Sequence, residues 1–400
     1  MATSSGKLGK IPKVVLLIES SRASGRSLLR GIAEYARHQG PWAFHWEPGG
    51  FDGFARRLAA LDADGVVLRD VAGMRSVRRL GIPAILVGHR REQVAGLSNV
   101  VTDSRQVSGL AAEHLVDCGF RSLGFVGYEG IPWSDERRDA FVTFAREAGC
   151  RVEVFGGPAG GSGNRRRDVE ASGVPWRVES RALVAWLRGL PLPTGVMACN
   201  DDRAQNVGEA CKLAGLRVPD DIGIIGADND ELVCELGQPP LSSVAIHFER
   251  AGFEAARELH AMMTDPSRRG SRDIVVQATH VVPRQSTDVV FIDDTAVSRA
   301  VRFIRQSARR HVAVAEVARA AGLSRRMLER RFRAVVGRSV LRELRRVRVE
   351  QIGKMLLETN HSISEIALAT GFPGAEHFAR YFRKERGMTP FGFRKAYGRK

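Results

Sequence analysis

The sequence has no uninterrupted apolar run near the roughly 18 residues that a membrane-spanning helix needs. Its first ten residues, Met1–Lys10, are small and polar, and the first apolar run, Val14–Ile18, is too short for the core of a secretion signal. The expectation is a cytoplasmic chain with no membrane partner. Cysteine is scarce, with Cys118, Cys150, Cys199, Cys211 and Cys234 in 400 residues, an odd count with no two at metal-ligand spacing. That argues against a disulfide framework or a thiolate metal centre and leaves buried thiols. No G-x-x-x-x-G-K-[ST] loop occurs, and no G-x-G-x-x-G follows a first strand, so the phosphate-cradling loops of nucleotide-using enzymes are missing. No metal, cofactor or catalytic activity is expected.

Basic charge is abundant, and it is unevenly placed. The whole chain carries +16, yet Ala296–Lys400 alone holds 25 Lys and Arg against 8 Asp and Glu, a net of +17. The first 295 residues hold 36 basic and 37 acidic side chains, a net of −1. An arginine-rich coding sequence would spread its charge. A neutral large part joined to a strongly basic small one fits a sensor joined to a polyanion binder.

The first part alternates continuous apolar runs with helical patterns. Strands are expected at Val14–Ile18, Val66–Leu68, Ala84–Val87, Leu123–Val126, Val152–Phe155, Val196–Ala198 and Ile222–Ile225. Helices are expected at Gly25–Gln39, Ser104–Cys118, Glu136–Ala148, Ser180–Leu190 and Arg203–Ala214. Such alternation gives right-handed βαβ units and parallel sheets covered on both faces. Two series follow one another, Val14 to about Val101 and Leu123 to Ile225, so two lobes would enclose a cleft at the carboxyl ends of their strands. The expected organisation is a disordered N-terminus at 1–12, a two-lobed sensor at 13–285, a linker at 286–295 and a helical domain at 296–400. The Gly-, Arg- and Ser-rich stretch 156–173 reads as an exposed loop.

In the basic part, Ala313–Gly337 and Ser362–Gly387 share a layout, with starts 49 residues apart. Each has a short amphipathic helix, a Gly followed by an apolar residue (Gly322-Leu323, Gly371-Phe372), a tight turn and a second helix. Glycine suits that turn because it takes positive φ without strain. In the first copy Ser324 is a good N-cap, with Arg325 and Arg326 just inside the helix. Met327, Leu328 and Phe332 would dock it, leaving Arg326, Glu329, Arg330 and Arg333 outward. This is a helix-turn-helix layout, whose second helix enters the DNA major groove.

Residues 295–397 resemble the AraC/XylS family of bacterial regulators. The second copy carries the family's residues at Gly371-Phe372, Phe378, Arg380, Phe382, Arg383-Lys384, Gly387, Thr389-Pro390 and Arg394. The resemblance implies two recognition helices joined by a long helix at about Ser339–Thr359. Base-facing positions carry over to Arg326, Glu329 and Arg330 in the first helix and to Ala375, Glu376, Ala379 and Arg380 in the second. Arginine can pair with guanine and glutamate can accept from cytosine, whereas alanine offers only a methyl contact. The second helix would therefore read fewer bases. Arg330 and Arg380 are alternatively phosphate contacts or members of an ion pair. Arg331, Arg333, Arg383 and Lys384 read as phosphate contacts or solvated charges.

The first 290 residues resemble the periplasmic-binding-protein-like core of LacI/GalR regulators, through Asn99–Gly127, Thr194–Glu231 and Leu241–Gly252. Fusion of such a core to an AraC-type domain is the architecture of the XylR xylose regulators. The fold class is therefore an α/β two-lobed sensor followed by an all-α double helix-turn-helix domain. The family implies Arg137, Asn200 and Asp228 as effector contacts, with D-xylose or a related aldose as effector. Double-stranded DNA, RNA polymerase and a second copy of the chain are the implied partners. Sugar chemistry independently needs carboxylates and amides, an arginine and an aromatic plate. Those residue types fall at strand ends: Ser21, Arg22 and Ser24; Trp133 and Arg137 on the loop after Leu123–Val126; Asn200 and Asp201; Asp228 and Asn229. Asp201 is equally placed to cap a helix, Asn229 to stabilise a turn and Trp133 to fill a core. The competing readings are a sugar enzyme, a transport receptor, and a regulator whose first domain only dimerises or docks a protein.

Overall fold

In the computed structural model the described residues are 11–47, 61–69, 81–88, 97–156, 176–265, 267, 272–289, 294–308 and 310–397. The disordered segment expected at the N-terminus, up to Lys10, and most of the loop at 156–173 lie outside them.

The first lobe opens with β1 (Lys13–Leu17), α1 (Ala23–Gln39), β2 (Ala43–Trp46), β3 (Gly65–Arg69), β4 (Ala84–Val87) and β5 (Ser98–Thr102). The chain then crosses into the second lobe: α2 (Ser104–Asp117), β6 (Ser122–Val126), α3 (Pro132–Glu147), β7 (Arg151–Val154), α4 (Trp176–Arg188), β8 (Thr194–Ala198), α5 (Asp201–Ala214), β9 (Ile222–Asp228), α6 (Glu231–Leu236) and β10 (Ser242–Ile246). It returns to the first lobe for α7 (Phe248–Thr264) and β11 (Asp273–Val276), and crosses again into β12 (Ala278–Val282). Both sheets have six strands among the described residues, in the orders β11-β5-β4-β3-β1-β2 and β12-β10-β9-β8-β6-β7. All described pairings are parallel except β10–β12.

All but one of the expected strands are buried runs, such as Val14–Leu17 and Ile222–Ala227, the exception being the half-exposed edge strand β7. The structure adds β2, β5, β10, β11 and β12, and so makes three crossings where the sequence pattern showed one. The returning α7 lies on α1 at backbone contact. A Cβ on Gly31 would sit 1.9 Å from the Glu249 carbonyl oxygen, and one on Gly252 would sit 2.1 Å from that of Leu28. Only glycine permits this approach. The five cysteines are free and buried.

Two expectations are corrected here. Helix α3 starts at Pro132, not Glu136, because proline at the first helical position supplies a preset φ and no wasted donor. Trp133 and Arg137 therefore stand on a helix, not a loop. The linker expected at 286–295 begins too early, since Ser286 and Thr287 are buried against β9 and β10. Ser286 Oγ donates to Ile224 O at 2.6 Å, and Thr287 Oγ1 lies 2.7 Å from Ser242 Oγ.

The helical domain comprises α8 (Thr295–Gln306), α9 (Val314–Ala321), α10 (Arg325–Val336), α11 (Val340–Glu358), α12 (Ile363–Ala369), α13 (Ala375–Arg386) and α14 (Pro390–Tyr397). Asp294 caps α8 by accepting from Ala296 N and Val297 N at 3.0 and 3.1 Å. The two helix-turn-helix copies have separate cores. Val317, Leu328 and Phe332 anchor one, and Ile366, Phe378 and Phe382 the other. Gly322 and Gly371 end the first helices at φ +69° and +75°.

Candidate effector cleft and DNA interface

The second lobe brings its chemistry to the carboxyl end of its sheet. Asp228 ends β9 with φ +99°, and Asn229 follows at +52°, both in the region that glycine favours. The bend is held from outside: Asn229 N donates to Ser243 Oγ at 3.0 Å, and Arg284 Nη2 donates to Asn229 Oδ1 at 2.9 Å. Strain of this kind persists where surrounding contacts over-determine it. Arg137, 2% exposed, donates to the Cys199 carbonyl and stands 3.6 Å from Asp228 Oδ1. Its guanidinium lies 5.0 Å from the centre of the Trp133 ring. Burial pushes the Asp228 carboxyl up to about 6, against the pull of Arg137 and Arg69. Arg137 Nε and Asp228 Oδ1 are buried without a hydrogen-bond partner within the protein. Such atoms are costly unless something else bonds them.

The first lobe supplies the facing wall. Arg69, at the end of β3, pairs with Glu19 at 2.9 Å and donates to Ser24 Oγ at 3.3 Å. Neither Glu19 nor Arg69 was singled out from the sequence, although both follow strands at their carboxyl ends, where the same rule would have found them. The lobes are joined across the cleft. Arg22 Nε donates to Asp202 at 2.7 Å, Ala23 N at the start of α1 donates to Asp230 at 2.7 Å, and Arg26 pairs with Asp230 at 3.4 Å. Four arginines (Arg22, Arg26, Arg69, Arg137) thus meet four carboxylates (Glu19, Asp202, Asp228, Asp230). The described cleft is polar but balanced in charge.

The structure brings Trp133, Arg137 and Asp228 together, sets Ser24 on Arg69, whose charge acts on Asp228, and leaves Asn200 beside Cys199, whose carbonyl Arg137 engages. Asn200 caps α5 through its carbonyl, accepting from Arg203 N at 2.9 Å, which leaves its amide nitrogen to donate. Three expected contacts are otherwise engaged. Asp201, 2% exposed, is turned into the lobe, where it accepts from Ser243 Oγ at 2.6 Å and Asp230 N at 2.7 Å. Burial first, and then nearby Asp228, hold its carboxyl well above the usual range. Asn229 is held by Arg284, and Arg22 by Asp202.

In the helical domain Ser324 Oγ caps α10 by accepting from Met327 N at 3.3 Å. Arg325, Arg326, Arg330 and Arg333 are exposed and Glu329 is half-buried, while Leu328 and Phe332 face the core. Met327, expected to dock the helix, is 39% exposed and receives Arg330 Nη2 at 3.1 Å. A residue at its place borders the outward face rather than the core. On α13, Glu376, Arg380, Arg383 and Lys384 are exposed and Ala375 and Ala379 half-buried. Arg380 pairs with Glu376 at 3.0 Å, both of them largely in solvent. An exposed i,i+4 pair of this kind is weak enough for either partner to leave it. Arg331 is engaged by Asp294 instead of standing free.

A family model for a periplasmic binding protein-like domain matches residues 112–287, and one for a helix-turn-helix domain matches 317–396. The xylose operon regulatory protein of Escherichia coli (strain K12) is 29% identical over 394 residues, covering 96% of this chain and 96% of its own. That of Haemophilus influenzae is 28% identical over 391 residues, covering 96% and 98%. Among solved structures, the xylose-binding transcription activator XylR superposes with a TM-score of 0.58 at 28% identity, covering 98% of this chain and 100% of that one. A LacI family transcriptional regulator from Enterococcus faecium with bound ribose shares the fold of the first part, with a TM-score of 0.54 at 19% identity over 70% of this chain.

Proposed function

We propose that this chain, which joins a periplasmic-binding-protein-like sensor to an AraC-type helix-turn-helix domain as the xylose operon regulators do, is gated by an uncharged aldose, D-xylose first. It is a sugar-responsive, DNA-binding transcription regulator. The observation that carries the effector class is the cleft's charge balance around the unsatisfied Arg137–Asp228 pair. Among the described residues of the cleft, a sugar phosphate or sugar acid would meet no surplus cation. A neutral polyol supplies donors to Asp228 and acceptors to Arg137 and Asn200, and offers an apolar ring face to Trp133.

In this reading the sugar bridges Asp228 and Arg137 to the Ser24–Arg69–Glu19 wall, and the Arg22–Asp202 pair helps hold the lobes closed. The outward arginines of α10 and α13 meet DNA, with RNA polymerase and a second copy of the chain as further partners in the cytoplasm. The relatives are regulators rather than enzymes, and we read the chain likewise. Isothermal calorimetry of the full chain against D-xylose, other pentoses, a pentose phosphate and an aldonate tests the class. Millimolar or tighter binding of a neutral aldose and none of its charged analogues is expected. No aldose binding at that level would instead favour a sensor that dimerises or docks a protein.

A further inference from the structure

The two units of the chain meet at the end of one helix. At its carboxyl end α2 carries Asp117, whose side chain is 11% exposed. Arg338 of the helical domain pairs with Asp117 Oδ1 at 2.8 Å, and Arg346 with Oδ2 at 2.9 Å. Arg305 Nη2 donates to the Asp117 backbone carbonyl at 2.9 Å, where the helix end is itself partly negative. Buried Glu343 pairs with both Arg338 and Arg346, so the cations are set from their own side. Two arginines, from the α10–α11 turn and α11, thus converge on one sensor carboxylate, and a third, from α8, on the backbone carbonyl of the same residue.

The other end of α2 lies at the lobe crossings and under the effector cleft. Asp103 N donates to Val276 O at 2.8 Å, and Ala278 N donates to Gln106 Oε1 at 3.0 Å, which ties this end to two of the three crossings. Ser108 Oγ donates to the Arg137 carbonyl at 2.8 Å, and Ser104 Oγ to Glu136 at 3.1 Å. Fourteen helical residues make a stiff rod of about 20 Å. A displacement of Arg137 or of the crossings at one end is delivered to Asp117 at the other.

We infer that Asp117 is a positioning residue through which α2 transmits the state of the effector cleft to the DNA-binding domain, by holding Arg338, Arg346 and Arg305 in one orientation. The inference rests on the reading of the cleft as an aldose site. A merely structural role would make Asp117 matter for folding or for the affinity of each site, and not for the ratio that links them.

The test uses the full chain, D-xylose in excess, and a DNA duplex selected by the full chain from a random pool. DNA affinity is measured with and without sugar for wild type, Asp117→Asn and Arg338→Gln. Coupling between two sites typically spans about 5- to 150-fold in affinity. Wild type should respond by at least about fivefold, and both variants by less than about twofold. Their sugar affinity and sugar-free DNA affinity should stay within about threefold of wild type, less than half a decade each. Because linkage is reciprocal, DNA should also cease to change their sugar affinity. If Asp117→Asn does not fold, Arg338→Gln makes the same measurement from the other side. Full wild-type coupling in a folded variant overturns the role of Asp117 and leaves the aldose reading standing. A wild type that binds D-xylose without any change in DNA affinity overturns gating itself, and the relay with it.

Discussion

Asp228 combines a positive φ, a buried arginine neighbour and a carboxyl pushed up to about 6. Between about pH 4 and 6 the folded protein therefore holds a proton that the unfolded chain has released, given an ordinary aspartate near 3.9. From this group alone, stability falls as the pH rises through that window. Effector binding runs the other way, because the carboxylate accepts from sugar hydroxyls more strongly, and at more positions, than the neutral acid does. Affinity for D-xylose should be flat above about pH 7 and fall up to tenfold per unit below about 6. Binding near pH 6 should release a proton, visible as a dependence of the calorimetric heat on the buffer's ionisation enthalpy. Asp228→Asn should bind at least about tenfold more weakly and lose that profile. A variant with wild-type affinity and the same profile would remove Asp228 from the site. Of this chemistry the sequence exposed the residue types and their strand-end positions. It did not expose the partners that take Asp201 and Asn229 out of the cleft, because Ser243 and Arg284 lie 42 and 55 residues away.

Among elements, legibility followed runs of apolar residues, buried in every expected strand but the half-exposed edge strand β7. Strands such as Ala84–Val87 announced themselves because every side chain is apolar and buried. Strands β5 and β10 did not, since Asn99, Ser242 and Ser243 are buried polar residues satisfied by hydrogen bonds that form only on folding. The exposed edge strand β2 lacked the buried alternation that would mark it. The helix-turn-helix pair was legible because each copy repeats its apolar anchors, glycine turn and cap within a short span. Superposing the copies by sequence sets Leu328 on Phe378, Phe332 on Phe382, Arg330 on Arg380 and Arg333 on Arg383. Arg330 projects from a surface-exposed turn of α10, and Arg383 lies near the end of α13. Arg330→Ala should cost about 1–3 kcal/mol on a selected site and little on random DNA, as loss of a base contact does. Arg383→Ala should weaken both alike and flatten the salt dependence by about one phosphate. Equal losses on selected and random duplexes for Arg330→Ala would make it a phosphate contact.

At the scale of the whole chain, charge and core divide at the same place. The last 105 residues carry a net of +17 and the rest −1. The hydrophobic clusters of the helical domain contain no residue of the sensor. A fragment from Asp294 to Lys400 keeps the cap of α8, both cores and every outward arginine of α10 and α13. It loses Asp117, which in the full chain holds Arg338 and Arg346. It should fold alone and bind duplex DNA, with log affinity falling against log salt by about 0.9 for each phosphate neutralised. The neutral sensor offers DNA no attraction, so removing it should leave that slope at least as steep as in the full chain. The two arginines released by Asp117 stay paired with Glu343, which the fragment retains. What the fragment should lose is any response to D-xylose, because the cleft is gone. Fluorescence anisotropy across a salt series, run on fragment and full chain with the same duplex, reads both quantities. A folded fragment with no DNA affinity at low salt would mean that the basic excess serves something other than nucleic acid. A fragment slope much shallower than the full chain's would place phosphate contacts on the sensor, where the sequence shows no net positive charge to favour them.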